Sequence, residues 1–206
     1  MAETSKQMPA PLDGYLREHI APRFHAVVNA AEQRVTAAQR DLDDLRAAAG
    51  TMRWEVTGPA PATCFVNIAN GEMKVEDHPL ADPFMTISQS EADWARFTAG
   101  MAHTGFLSGQ VRRPLGRSRI ERLRAVRGAL RFVLTGLPDG NAWTFTLCFG
   151  AGPRPAEPQT TVTVPADLVP KIQSGQIDPQ LAFMQEQVKI SGDLSLAMQL
   201  GTALFL

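Results

Sequence analysis

Two stretches of this chain, residues 84–130 and 160–205, pass through the same series of signals, and that repetition restricts the fold more than any other feature. The later stretch reads as a strand at 160–164, an amphipathic helix ending at Gly175, a turn opened by Pro179, a second strand closed by Ser191-Gly192-Asp193, and a final apolar helix. In the earlier one Ala92-Asp93-Trp94 answers Ala166-Asp167-Leu168, Gly100 answers Gly175, and Phe106 with Gln110-Val111-Arg112 answers Phe183 with Gln187-Val188-Lys189. Any one pairing is within chance. Their common order implies an internal duplication.

Ahead of the first copy, apolar residues recur in steps of three or four at Leu16, Ile20, Phe24, Val27, Ala31, Val35, Ala38, Leu42 and Leu45. This predicts a helix over residues 22–49, ended by Gly50, with a short helix or a kink at Pro22. The stripe suits either packing on its own domain or a coiled-coil seam between two chains. The period then changes. Residues 53–58, 63–69 and 72–77 alternate and are broken by Pro59, Pro61 and Asn70-Gly71, which predicts an antiparallel meander. A fourth strand is expected over 81–89, then a helix capped by Ser90 and ended by Gly100, a turn and strand over 103–111, and a helix over 117–127. The second copy opens with strands at 130–136 and 143–150, joined around Pro138-Asp139-Gly140.

Composition excludes several classes. A formal charge of −1 with 7% aromatic residues gives no basis for nucleic-acid binding. Cys64 and Cys148 lie in apolar runs and read as reduced core thiols. Residues 1–14 lack the apolar core of a secretory signal, and no run of eighteen apolar residues occurs, so the expected location is the cytoplasm, with residues 1–13 disordered. His19, His25, His78 and His103 show no ligand spacing, so no metal is expected. Cofactor motifs and nucleophile elbows are missing as well, so no cofactor and no catalytic residue is assigned. Ser108 reads as a turn residue, and Asp193 as the cap of the final helix. Eight of the twenty basic residues lie between Arg112 and Arg131, opposed by Glu121 alone. The helix there sets Arg119, Arg122 and Arg124 around an apolar stripe of Ile120, Leu123, Val126 and Leu130. It reads either as a surface helix packed on a core, or as a basic face for a lipid head group or an anionic membrane.

Gly175, Asp178, Pro179, Ala182 and Phe183, followed by Val-Lys-Ile-Ser-Gly-Asp at 188–193 and the apolar run 194–200, form a pattern similar to that of the sterol carrier protein type 2 family. The first copy matches less well: it lacks the Asp-Pro pair and its last helix is rich in arginine. The resemblance implies an α+β fold, a mixed and mainly antiparallel sheet with helices on one face, here internally duplicated behind a long N-terminal helix. The copies are expected at 14–128 and 129–206. It also implies non-catalytic binding or transfer of a hydrophobic ligand, a fatty acyl chain, sterol or isoprenoid, in an apolar cavity under the C-terminal helix. Phe183, Met184, Val188, Ile190, Leu194, Leu196, Met198 and Leu200 would line it, the two methionines adapting to irregular ligands. Two alternatives stay open. One is an enzyme acting on an isoprenoid- or polyketide-like substrate, for which Asp167, His103 and Glu186 are the titratable candidates. The other is a scaffold that does not bind lipid. The expected partners are a lipid, transiently an anionic membrane, and a second copy through the N-terminal helix.

Overall fold

The computed structural model describes residues 14, 16–100, 115–150 and 155–205. It divides into two compact units, Met1–Asp43 and Asp44–Leu206. The first is helical. A π-helical turn, α1 (Leu16–Ile20), runs directly into α2 (Ala21–Arg46). The wide turn falls where Pro22 would otherwise clash with the carbonyl four residues earlier, so the break expected at this proline is taken up without ending the helix. Neither helix has a buried residue.

The second unit is built on one sheet of eight strands in the order β3-β2-β1-β4-β6-β5-β7-β8. The strands are β1 (Gly50–Thr57), β2 (Ala62–Ala69), β3 (Glu72–Glu76), β4 (Pro83–Ser90), β5 (Gly128–Thr135), β6 (Trp143–Phe149), β7 (Thr160–Pro165) and β8 (Lys189–Gly192). Gly50 therefore opens β1, whereas the sequence placed it at the end of a helix. Asn70 and Gly71 both have positive φ, 54° and 76°, as the tight turn between β2 and β3 requires.

The duplication is visible in the pairing. β1 forms an antiparallel hairpin with β2 and lies parallel to β4. β5 forms an antiparallel hairpin with β6 and lies parallel to β7. The two sets are joined by β4 and β6, antiparallel from Met85↔Phe149 to Ser88↔Thr146. On β7 the corresponding edge carries β8. Both copies thus share one sheet, and the edge each would otherwise expose is satisfied by the other.

Residues directly opposite in a ladder share a face. Met52, Trp54, Met85, Ile87, Leu147, Phe149, Leu130, Phe132, Val162 and Ile190 line one side; Thr86, Ser88, Thr146, Arg131, Thr161 and Ser191 line the other. The apolar side is covered by α3 (Glu91–Thr98), α4 (Arg117–Ala125) and α7 (Leu194–Phe205), and α5 (Leu168–Gln173) and α6 (Pro179–Met184) belong to the connection between β7 and β8. The fold is the expected mixed sheet with helices on one face. Cys64 lies on the covered face opposite Trp54 and Cys148 on the other face opposite Thr86, and they are not disulfide-bonded. Burial pushes the Cys64 thiol up, away from the reactive thiolate. The strand expected over residues 103–111, with His103 and Ser108, lies outside the described residues, as does the expected disordered start at 1–13.

Candidate functional site

Local chemistry sets the path of the chain from β7 to the C-terminal helix. Asp178 caps α6, its Oδ1 accepting from the amides of Gln180 and Leu181 at 2.8 and 3.1 Å, and Pro179 needs no amide at the first helical position. With six residues, α6 buries Ala182 and leaves Leu181, Phe183 and Met184 in water, Met184 at 78% exposure. Val188 and Ile190 are half-buried against the main core.

The turn into α7 is tightly determined. Gly192 sits at φ +92°, where a Cβ would overlap the Gln159 carbonyl oxygen. That oxygen accepts from the Asp193 amide at 2.9 Å, the Asp193 carbonyl accepts from Thr160 Oγ1 at 2.7 Å, and Asp193 Oδ1 accepts from the Leu196 amide at 3.1 Å. The capping role expected of Asp193 is the one observed. On α7 itself Leu196, Leu200 and Ala203 are buried, whereas Leu194 and Met198, one turn apart, are about half exposed. Beyond them, a side chain at Gly201 would meet none of the described residues within 4 Å. Of the eight residues proposed from sequence, then, Leu196 and Leu200 belong to the core, Val188 and Ile190 border it, and Phe183, Met184, Leu194 and Met198 face water.

A second apolar cluster under α3 has no counterpart among the sequence candidates. The rings of Trp54 and Trp94 lie 6.0 Å apart, Phe97 stacks on Trp143 at 5.9 Å, and Trp143 leads to Phe145 at 4.7 Å and on to Phe132 at a further 5.0 Å. Ser90 caps α3 as expected, its Oγ accepting from the Asp93 amide. Asp93 then holds the cluster in register: its carbonyl accepts from Trp143 Nε1 at 3.0 Å and its Oδ1 from the Thr144 amide at 3.2 Å. Beneath α3, Trp54 Nε1 and both side-chain amide atoms of Gln89 are buried with no hydrogen-bond partner among the described residues. Each such group costs roughly 1–3 kcal/mol until something satisfies it. The signal in the sequence was the alternation of Trp143 and Phe145 along one strand face; Trp94 and Phe97 join them only through the fold.

The arginine helix is two-sided. Ile120 and Leu123 are buried as their stripe predicted, but Arg119 is only 4% exposed, because it stands one turn before Leu123 and shares the inward side. It is therefore not on the basic face where the sequence placed it. Arg117, Arg122 and Arg124 are exposed, and Arg124 Nη2 donates to the Ala49 carbonyl at 3.1 Å. The helix is capped from a distance: Asp44 Oδ1 accepts from the Ser118 amide at 3.1 Å and from Ser118 Oγ at 2.6 Å. The Ser118 hydroxyl holds the Asp44 carboxyl below its usual range, helped by Arg117 and Arg122. A Cβ at Gly116 would overlap the Asp44 carboxylate, so a side chain there would push this cap aside.

Two of the titratable candidates come together. Asp167 and Glu186 line an open pocket of about 510 Å³ with Thr135, Thr163, Lys171 and Lys189, and Lys171 pairs with Asp167 at 3.1 Å. His103 lies outside the described residues. Among those residues no group of three or more histidine, cysteine or acidic side chains is arranged to hold a metal, and no helix is long and apolar enough to cross a membrane.

A family model described as the SCP-2 sterol transfer family matches residues 28–112 and, a second time, residues 114–205, so that α4 falls at the head of the second match. Solved structures similar to part of the chain include the sterol carrier protein domain 2 of Helicoverpa armigera, at 21% identity over 53% of this chain and 84% of that one, with a TM-score of 0.31. Sterol carrier protein 2 like 2 of Aedes aegypti is similar at 19% identity over 53% of this chain and 93% of that one, with a TM-score of 0.29. Sterol carrier protein 2 of Yarrowia lipolytica, in its apo form, follows at 16% identity over 50% and 88%, with a TM-score of 0.33. No curated protein matches.

Proposed function

The chain belongs to the SCP-2 sterol transfer family, which matches it twice, and from that premise we propose that it binds and transfers a hydrophobic molecule, a fatty acyl chain, sterol or isoprenoid, along its C-terminal helix. The observation that carries this reading is α7, which is apolar on two sides. Leu196, Leu200 and Ala203 satisfy the inner side, while Leu194 and Met198, each about half exposed, carry apolar surface on the outer one. A helix apolar on both sides calls for apolar matter on both. Leu196, Leu200, Val188 and Ile190 would be the wall of the site and Phe183, Met184, Leu194 and Met198 its mouth. The second copy, residues 129–206, is therefore the ligand-holding one. The ring cluster under α3, to which Trp54, Trp94 and Phe97 come from the first copy and Trp143, Phe145 and Phe132 from the second, lies apart from α7.

Each methylene taken out of water contributes about 0.8 kcal/mol, so a long chain needs little else. In titrations with a fluorescent long-chain fatty acid, Leu194→Asp combined with Met198→Asp is expected to weaken binding at least about tenfold, with the thermal midpoint nearly unchanged because both residues are exposed. Val75→Asp, at an exposed position on β3, should bind as the parent does. Equal affinity in the parent and the double variant would remove α7 from the site.

For delivery, the exposed Arg122 and Arg124 would meet an anionic bilayer, with the buried Arg119 taking no part. Arg122→Gln with Arg124→Gln is then expected to slow transfer from vesicles containing phosphatidylserine and to leave transfer from neutral vesicles as it was. The same loss on both vesicles would rule out an electrostatic contact. The N-terminal helix has a separate task in this reading, self-association.

A further inference from the structure

The apolar stripe of α1 and α2 repeats with a period that a left-handed coiled coil does not have. From Leu16 through Ile20, Phe24, Val27, Ala31, Val35 and Ala38 to Leu42 the steps are four, four, three, four, four, three and four. Leu16, Val27 and Ala38 are thus equivalent positions eleven residues apart, and so are Ile20, Ala31 and Leu42. An eleven-residue repeat averages about 3.67 residues per turn, which keeps the stripe almost parallel to the helix axis and favours a slight right-handed supercoil. The stripe is in water: Phe24, Val27 and Val35 are 66%, 65% and 70% exposed. At about 1.5 Å per residue it extends for roughly 40 Å.

We propose that its partner is the same stripe of a second copy of this chain, packed antiparallel about a two-fold axis at Ala31. This rests on the self-association assigned above to the N-terminal helix and adds its geometry. Reversed about Ala31, the pattern from Ile20 onward falls on itself: Ile20 meets Leu42, Phe24 meets Ala38, Val27 meets Val35, and Ala31 meets its own copy, while Leu16 falls opposite Arg46 at the end of the contact. Bulk is complementary in this register. The largest side chain, Phe24, faces a small one, and the two alanines on the axis let the helices approach. Parallel packing would set Phe24 on Phe24 and Ala38 on Ala38, a clash followed by a gap, both of which cost stability. Charge favours the same choice. Residues 16–25 carry Arg17 and Arg23 against Glu18, whereas residues 37–46, which lie opposite them, carry Asp41, Asp43 and Asp44 against Arg40 and Arg46. Antiparallel helices set these opposite segments together, and parallel helices set like on like. The contact is isologous, so it closes as a dimer.

The test uses the full chain with Cys64→Ala and Cys148→Ala as background. Sedimentation should give a dimer, and Val27→Glu with Val35→Glu should halve the mass while the near-ultraviolet circular dichroism of the sheet unit persists. Under mild oxidation, Ile20→Cys alone should not cross-link, whereas chains carrying Ile20→Cys mixed and exchanged with chains carrying Leu42→Cys should give a covalent dimer. A monomeric parent would overturn self-association and this geometry together. A dimer in which Ile20→Cys links to itself would overturn only the antiparallel register. A dimer that neither the glutamates dissociate nor the cysteines link would place the interface elsewhere.

Discussion

Leu123→Ala is expected to lower the stability of the sheet unit by about 2–5 kcal/mol, the range for truncating a fully buried leucine. Leu123 has no exposed surface. It sits on α4, which packs on β4 of the first copy and on α7 of the second, so the cavity opens where the copies meet. Because β4 and β6 are hydrogen-bonded into one sheet, the loss should appear as a shift of a single urea transition. The midpoint should fall with the slope unchanged, since the same surface is still exposed on unfolding. Two transitions, of which only one moves, would show that the copies unfold independently despite their shared sheet. A loss below about 1 kcal/mol would mean that α4 is not an anchor between them.

Gly192→Ala is expected to cost about 3 kcal/mol and to abolish fatty-acid binding in the same titration. Two effects combine: φ +92° is a region that side chains rarely occupy, and the added Cβ would overlap the Gln159 backbone oxygen, which cannot rotate away. Relief requires the turn to shift, which breaks the Asp193 cap and moves α7, the helix proposed to hold the ligand. Gly201→Ala provides the contrast. That glycine is inside α7, and its missing side chain would meet none of the described residues within 4 Å. The substitution should be neutral or stabilise by up to about 1 kcal/mol through helix propensity. Thermal melts of both variants decide the matter. Equal midpoints would mean that the Ser191-Gly192-Asp193 turn is not the constraint described.

The parts of this fold legible from sequence are those held by neighbours. Ser90 and Asp193 as caps, Asn70-Gly71 as a tight turn, and the stripe of Leu196 and Leu200 all depend on residues a few positions away, and those distances are printed in the chain. The motif ending in Ser191-Gly192-Asp193 was legible for the same reason, although its glycine answers to Gln159, more than thirty residues earlier. Arg119 was misplaced because periodicity assigns a side to a residue but does not say how wide the buried side is. The cap that Asp44 gives to α4 left no trace in local spacing, and of the line of rings from Trp54 to Phe132 only the alternation of Trp143 and Phe145 did.

By itself, then, the sequence determined most of the elements and their order, the duplication and the family, all properties of local periodicity and of spacing within each copy, although it read the helix at Pro179 as a turn. Only the tertiary structure decided that the copies share one sheet, that Arg119 is buried, and that Phe183, Met184, Leu194 and Met198 stand in water. The reason is physical. Pairing β4 with β6 satisfies backbone groups that every strand carries whatever its side chains, so no residue marks it in advance. Burial, likewise, is set by what comes to lie opposite, and those neighbours come from distant parts of the chain.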